Sequence, residues 1–140
     1  MKHTTTTAWQ GDMRFTTTLN EQKVDFDVKA PEGKIRQGVS PKEMLLSSLA
    51  GCSGIDVVAL LNDRYKVPFS DLNIVVSGEL TEKHPKYYRQ IHIVYQIKVA
   101  ATDQDKVRQA VEASLETYCG VHAMLAEAAG TTYEIHYLSA

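Results

Sequence analysis

Alternating polar and apolar positions mark the first part of the chain as strands. Residues 3–10, 14–20 and 23–30 are rich in threonine or alternate in polarity, which is typical of short β-strands. The joints between them are short enough for hairpins. Residues 31–39 contain glycine and proline but no period, so we predict a loop there. Loops on a rigid scaffold often hold functional groups, which makes Arg36 in this loop a candidate.

A helix start follows the loop. Ser40 has the character of an N-cap, Pro41 suits the first helical position, and Glu43 can return its carboxylate to the amide of the cap. An apolar segment that is rich in small residues follows. We therefore predict a central helix from residue 41 to about residue 62.

The second half of the chain continues the alternation and then changes to helical spacing. Two longer strands are predicted over residues 70–81 and 87–100. Thr102 and Asp105 indicate the start of a capped helix, whose apolar stripe is Val107, Val111, Leu115 and Tyr118. A further helix over residues 119–130 and a strand over residues 131–138 complete the chain. This order predicts an α+β fold with an antiparallel or mixed sheet, in a single domain over residues 1–140.

Composition excludes several function classes. A chain of 140 residues can bury a core without metal or disulfide staples. A formal net charge of −2 without long charge runs gives no electrostatic basis for binding nucleic acid or an anionic membrane. The apolar stretch over residues 44–61 is short for a membrane span and contains Asp56. The polar, threonine-rich beginning lacks the features of a secretory signal, so we expect a cytoplasmic location.

The apolar central helix also predicts an oligomer. A helix that is apolar on nearly all sides needs cover on most of them, and one subunit of this size offers limited surface for that purpose. We therefore expect a homodimer that buries the helix between subunits.

Two cysteines, Cys52 and Cys119, are the main candidates for chemistry. In a reducing compartment a distant pair favours free thiols over a permanent disulfide. Small residues surround Cys52, which would let another backbone or a ligand approach the sulfur, but close helix packing has the same requirement. A reactive thiolate needs a cation or oriented amides nearby, and no Lys, Arg or His lies within a helical turn of Cys52. Any activating group must therefore come from elsewhere in the fold.

Other polar residues near the thiols have structural readings. Asp56, four residues after Cys52, is expected to be a helix-face acid bonded to a partner rather than a base, and it would raise the pKa of a neighbouring thiol. His122, one turn beyond Cys119, could contact that thiol or serve the structure alone. The remaining histidines show no close metal-ligand spacing, so we expect neither a metal nor a cofactor.

Two sequence blocks resemble signatures of a known family. "SPKEMLLSSLAGCSGIDVVALL" and "YCGVHAML" are similar to the signatures of the OsmC/Ohr proteins, and the first block is closest to a YhfA-like branch. The resemblance implies an intertwined homodimer that reduces organic hydroperoxides with a thiol pair. By position, Cys52 would be the peroxidatic thiol and Cys119 the resolving thiol. An external dithiol would then reduce their disulfide.

The family also uses an arginine to hold the thiolate and a glutamate to orient that arginine. Arg14 follows the first predicted strand, as the family arginine does, while Arg36 is the second candidate. Lys42 occupies the position of the family glutamate, and Glu43 comes next. At roughly 100° per residue, Glu43 would lie on the opposite side of the helix from Cys52. Glu43 is therefore either the orienting acid or only part of the helix cap.

Three functions remain open at this point. The first is a thiol-dependent peroxidase acting on organic hydroperoxides in oxidative stress defence. The second is a dimeric protein of the same fold that binds a small hydrophobic or thiol-reactive ligand with little turnover. Lys42 and Gly120 favour this function, and Gly120 occupies a position where the peroxidases usually carry proline. The third is a structural domain whose cysteines only pack.

Overall fold

The computed structural model describes residues 1–28 and 32–139. The chain forms two compact units, Met1–Leu45 and Leu46–Ala140. The described residues form two three-stranded sheets and three α-helices, so the prediction of an α+β fold is confirmed.

The first unit contains an antiparallel sheet. Its strands are β1 (Thr6–Trp9), β2 (Phe15–Leu19) and β3 (Gln22–Phe26), with β2 in the centre. Asn20 and Glu21 both have positive φ, which suits the tight hairpin between β2 and β3. The three predicted strands are confirmed with shorter ends, although residues 29 and 30 lie outside the described part of the chain.

The helix α1 (Pro41–Ala59) begins at the predicted residue. The Ser40 carbonyl accepts a hydrogen bond from the Met44 N–H at 3.0 Å, which is the first helical bond after the loop. A π-helical turn, Leu60–Arg64, extends α1 slightly beyond the predicted end. The resulting helix of 24 residues is long and apolar enough to cross a membrane by length and composition, although core helices of soluble proteins pass the same test.

The second unit is built on a mixed sheet. Strands β4 (Phe69–Leu80) and β5 (Tyr88–Val99) are antiparallel, and β6 (Gly130–Tyr137) pairs with β5 in parallel. A parallel pair needs a long crossover connection. That connection contains the helices α2 (Gln104–Ala113) and α3 (Gly120–Ala126), with a π-helical turn, Ser114–Tyr118, between them.

The core of the second unit follows the alternation of β5. Four alternate side chains of this strand are buried on one face of the sheet: Ile91, Ile93, Tyr95 and Ile97. Side chains of α1 and α2 complete the core, among them Leu49, Val57, Val107 and Val111. The predicted stripe of α2 is therefore buried in its first two positions, while Tyr118 at its end is half exposed.

Candidate active site

The fold brings the two cysteines together in the second unit. Cys52 projects from the middle of α1, and Cys119 follows the π-helical turn that ends at Tyr118. Their sulfur atoms and a carboxylate oxygen of Asp56 all lie within 4.8 Å of one another. Cys119 is buried with 3% of its surface exposed, whereas Cys52 is half-buried. One thiol of the pair is therefore more accessible than the other.

Cys119 is the N-cap of α3. Its Sγ accepts a hydrogen bond from the backbone N–H of His122 at 3.4 Å. Burial raises the pKa of Cys119 from 9.0 to about 11, and the neighbouring Cys52 and the negative charge of Asp56 act in the same direction. The hydrogen bond from His122 partly opposes this shift. Cys119 therefore holds its proton at neutral pH.

The imidazole of His122 does not point to the thiol. Its Nδ1 lies 2.8 Å from the Leu115 carbonyl oxygen and its Nε2 lies 2.9 Å from the Thr131 hydroxyl. A carbonyl only accepts, so Nδ1 carries the hydrogen and Nε2 of the neutral ring accepts from Thr131. The side chain of His122 thus ties α3 to its surroundings, and only its backbone contacts Cys119.

A chain of buried hydroxyl groups leads to Asp56. Tyr95 Oη lies 2.6 Å from Ser53 Oγ, which lies 2.8 Å from Ser114 Oγ. Ser114 Oγ donates in turn to Asp56 Oδ2 at 2.9 Å. Ser53 and Ser114 are fully buried, and Tyr95 is almost so. Each member comes from a different place in the chain, so the fold alone assembles this network.

The hydrogen bonds of this chain have one direction. A hydroxyl has a single hydrogen, and Ser114 gives its own to the carboxylate. Ser53 must therefore donate to Ser114, and Tyr95 must donate to Ser53. Burial raises the pKa of Tyr95 to about 12, so Tyr95 keeps the hydrogen that it donates. All three hydroxyl dipoles consequently point toward Asp56.

The two glycines beside Cys52 have different surroundings. A Cβ atom at Gly54 would lie 3.0 Å from the Ile74 Cδ1 of β4, so this glycine allows α1 to pack closely on the sheet. A Cβ atom at Gly51 would meet nothing within 4 Å among the described residues. Close helix packing therefore explains the glycine at position 54 but not the glycine at position 51.

The charged candidates from the sequence lie in the first unit. Arg36 Nη2 and Glu43 Oε2 form an ion pair at 3.2 Å. Arg14 precedes β2, and its Nε is buried with no hydrogen-bond partner among the described residues. The structure thus pairs Glu43 with Arg36, not with Arg14, the arginine that matches the family position better.

The thiol pair is also where a metal ion could be held. Cys52, Cys119 and Asp56 offer two sulfurs and a carboxylate oxygen, which are ligands that Zn²⁺ accepts. Within the described ranges this is the cluster in which three such donors converge. Sequence spacing gave no sign of it, because the donors come from two segments that meet only in the fold.

Comparison with known proteins places the chain in a family. Residues 31–134 match the model of the OsmC-like protein family. The curated "Protein YhfA" of Escherichia coli strain K12 is 31% identical over 101 residues, which cover 72% of this chain and 75% of that protein.

Solved structures share the fold over nearly the full length. A hypothetical protein from Aquifex aeolicus VF5 has a TM-score of 0.80 at 27% identity, over 99% of this chain and 100% of that one. The organic hydroperoxide resistance protein OhrB of Bacillus subtilis has a TM-score of 0.64 at 17% identity, over 96% and 98% of the two chains. The family model and the similarity to YhfA show that the chain belongs to the OsmC-like family, in its YhfA-like branch.

Proposed function

We propose that the protein is a thiol-dependent peroxidase that reduces organic hydroperoxides. The observation that carries the proposal is the proximity of the Cys52 and Cys119 sulfurs, which lie within 4.8 Å of each other in a chain of the OsmC-like family. Several proteins of the same fold have names that refer to organic hydroperoxide resistance, among them OhrB of Bacillus subtilis. The half-buried Cys52, the more accessible of the two thiols, suits the peroxidatic role, and the buried Cys119 suits the resolving role.

The proposed reaction has three steps. The Cys52 thiolate attacks the distal oxygen of the hydroperoxide, the O–O bond breaks, and an alcohol leaves after it gains a proton. Cys52 is now a sulfenic acid, which condenses with the Cys119 thiol to form a disulfide and water. An external dithiol then exchanges with this disulfide, restores both thiols and becomes oxidised itself.

The activating cation is part of the same proposal. We place Arg14 in this role, with Glu43 as the acid of the family pattern. The buried Arg14 Nε without a partner supports Arg14, because such a donor is expected to gain an acceptor when the site is complete. Arg36 is the competitor, since it forms the ion pair with Glu43. Replacing each arginine by alanine and comparing the alkylation rate of Cys52 separates the two.

We further propose an intertwined homodimer in the cytoplasm. One face of α1 is exposed at intervals of three or four residues, at Ser48, Gly51, Ile55 and Ala59. Ile55 is 72% exposed, and a second subunit would remove this apolar side chain from water. Light scattering at micromolar concentration tests the dimer. The single domain over residues 1–140 stays a prediction.

A binding protein with little turnover is the second candidate. It is favoured by the raised pKa of Cys119, about 11, because a protonated resolving thiol attacks a sulfenic acid slowly. Lys42 and Gly120, the two departures from the peroxidase pattern, point the same way. Such a protein would hold a small hydrophobic or thiol-reactive molecule beside Cys52.

The deciding experiment follows the loss of cumene hydroperoxide with dithiothreitol or dihydrolipoamide as the reductant. We expect turnover in the wild-type protein and none in Cys52→Ser. In Cys119→Ser we expect a sulfenic acid on Cys52 that a dimedone reagent traps. EDTA is present throughout, so that metal ions cannot occupy the thiols.

The same assay distinguishes the alternatives. Turnover in Cys52→Ser equal to that of the wild type would reject the peroxidase. Reaction of Cys52 with electrophiles in the absence of turnover would support the binding protein. Failure of both thiols to react in the folded protein would leave only the structural role.

A further inference from the structure

We infer that Cys52, Cys119 and Asp56 form a binding site for a zinc ion. The binding itself does not depend on the proposed activity, but its consequence, that bound Zn²⁺ withholds both thiols from a hydroperoxide, rests on the proposed function. The sequence alone predicts no metal site, because Cys119 is far from the other two residues along the chain. The fold supplies the proximity, since both sulfurs and a carboxylate oxygen of Asp56 lie within 4.8 Å of one another.

Regular helical structure places the three donors. Cys52 and Asp56 lie four residues apart on α1, so their side chains share one face of the helix. Two ligands at this spacing on a helix are a recurrent arrangement for binding zinc in proteins. Cys119 follows the π-helical turn Ser114–Tyr118, and its sulfur lies against the same face. Two segments that are distant in sequence therefore present one set of donors.

The separations between the donors suit tetrahedral coordination. Zinc binds a thiolate sulfur at about 2.3 Å, so two sulfurs on one tetrahedral ion lie about 3.8 Å apart. The two sulfurs, which are no more than 4.8 Å apart, need to approach each other by at most about 1 Å. Three protein ligands leave the fourth position of the tetrahedron to water. Cys52 is half-buried, so an ion can reach the site from its side.

Hydrogen bonds from the surrounding fold orient two of the donors. Ser114 Oγ donates to Asp56 Oδ2 at 2.9 Å, and Ser114 is itself held by the buried hydroxyl chain. The backbone N–H of His122 donates to Cys119 Sγ at 3.4 Å, and a bond of this kind stabilises a thiolate. Metal ligands in proteins are typically held by such outer hydrogen bonds. The carboxylate and one sulfur are therefore oriented before an ion enters.

The chemistry of the donors selects zinc among the common cations. Mg²⁺ and Ca²⁺ prefer oxygen ligands, whereas two of the three donors here are sulfurs. Cu(I) is selected by soft sulfur ligands, and the carboxylate of Asp56 is a hard one. Zn²⁺ accepts both kinds. Asp56 bonds with a hydroxyl rather than with a basic side chain, so a bound dication would supply the positive charge that balances the donors.

The test adds metal ions alone to the reduced full-length chain. The reductant is removed first, because dithiols themselves bind zinc. One equivalent of Co²⁺ should produce the near-ultraviolet charge-transfer band of thiolate–cobalt bonds and the intense visible bands of a four-coordinate ion. One equivalent of Zn²⁺ should then abolish both. A wild-type protein that gives no charge-transfer band, or only the weak visible bands of six-coordinate Co²⁺, overturns the inference.

Variants identify the ligands. Cys119→Ser should reduce the charge-transfer band to about half, because one of the two sulfurs is lost. In competition with a chromophoric chelator, Asp56→Asn should weaken Zn²⁺ binding at least about 100-fold, the upper end of the loss for removing an outer hydrogen-bond partner. Asp63→Asn removes the same charge from an exposed position just beyond α1 and should bind Zn²⁺ as the wild type does. Equal affinity in Asp56→Asn and the wild type overturns the three-ligand site.

A second variant covers a failure of Asp56→Asn to fold. Ser114→Ala keeps all three ligands but removes the hydrogen bond to the carboxylate, so Zn²⁺ binding should weaken about 10-fold. An unchanged affinity in a folded Ser114→Ala protein also overturns the inference.

A single turnover separates the zinc site from the proposed activity. Reduced protein without dithiol is mixed with one equivalent of cumene hydroperoxide, with or without Zn²⁺, and the remaining thiols are counted. We expect the metal-free protein to lose both thiols and the zinc-loaded protein to keep them; equal loss would overturn the protective consequence. Zinc binding without any consumption of peroxide would leave the site intact and reject the peroxidase. Consumption of peroxide by a protein that binds no zinc would do the reverse.

Discussion

The two sheets of the protein differ in what supports them. In the second unit, alternate residues of β5 are fully buried against α1 and α2. Among residues 1–28 and 32–45, the buried side chains are Thr17 and Asp27, and both are polar. A three-stranded sheet needs an apolar face in contact with another surface for independent stability. The second sheet has that face within its own unit, whereas the described residues of the first unit bury no apolar side chain.

The largest expected difference between the sheets is in core packing. Ile93→Ala, in the centre of β5, should lower the free energy of unfolding by about 2–5 kcal/mol, since it leaves a cavity in a closed core. Leu19→Ala in β2 should lower it by less than about 1 kcal/mol, because this side chain is already 40% exposed. Urea denaturation measures both, and equal losses would contradict the comparison.

The second test of this comparison concerns the proposed dimer. Ile55→Lys places a charge on the exposed face of α1 and should weaken subunit association at least about 30-fold, as for a central interface residue. Light scattering should then show a monomer at micromolar concentration. Ile35→Lys is the matched control, because this isoleucine is 85% exposed in a loop. A wild-type protein that is monomeric would reject the dimer directly.

Hydrogen bonds between hydroxyl groups should contribute more to the free energy of unfolding in the second unit than in the first. Ser53→Ala leaves Tyr95 and Ser114 without a shared partner and should destabilise the protein by about 1–3 kcal/mol. Thr17→Val removes the acceptor of the 3.0 Å bond that the Thr7 hydroxyl donates, and it should have a smaller effect because Thr7 is exposed and can donate to water instead. A double-mutant cycle with Tyr95→Phe measures the coupling within the chain, and absence of coupling would show that the hydroxyls act separately.

Alkaline pH should destabilise the second unit through Cys119. Its pKa is raised from 9.0 to about 11 by burial, so the folded state holds this proton more tightly than the unfolded state. The stabilising contribution is complete below pH 9 and is lost as the pH rises to about 11. At pH 10 the wild type should lose on the order of 1 kcal/mol more than Cys119→Ala. If the free energy of unfolding of the two proteins changed with pH in the same way, this prediction would be wrong.

The smallest effect is expected in the first unit, at the ion pair of Arg36 and Glu43. Both side chains are exposed, so Glu43→Gln should change the free energy of unfolding by less than about 1 kcal/mol, and less still in high salt. Glu32→Gln, in the same loop region, serves as the charge-matched control. A larger loss confined to Glu43→Gln would show that this acid has a structural role beyond the pair.

Sequence patterns predicted each strand and helix, because alternation and helical spacing report which residues are buried. The parallel pairing of β6 with β5 was left open as a mixed sheet, since pairing depends on the path of the crossover. The thiol pair was reached through family resemblance, and the hydroxyl chain was missed. Ser53 and Ser114 look like ordinary small polar residues in the sequence, and only the approach of α1 to the segment after α2 gives them a shared partner.

The ion pair of Glu43 shows the same limit of prediction from sequence. Position after the first strand favoured Arg14, yet Glu43 forms its ion pair with Arg36. Side-chain partners on different segments are set by the path of the loop, and the loop had no period from which that path could be predicted. For Asp56 the expectation was better, because a bonded acid that raises the pKa of a neighbouring thiol is what the structure shows at Cys119.

The contrast between Gly54 and Gly51 has a consequence for how variation would be tolerated. A larger residue at position 54 would place its Cβ atom 3.0 Å from the Cδ1 of Ile74, so the Ile74 side chain would have to shift. A larger residue at position 51 would require no such shift, because its Cβ atom would meet nothing within 4 Å among the described residues. Variants at position 51 that fold normally but lose function would therefore indicate that another group must approach Cys52. A series of side chains of increasing volume at this position would measure how much space that group needs.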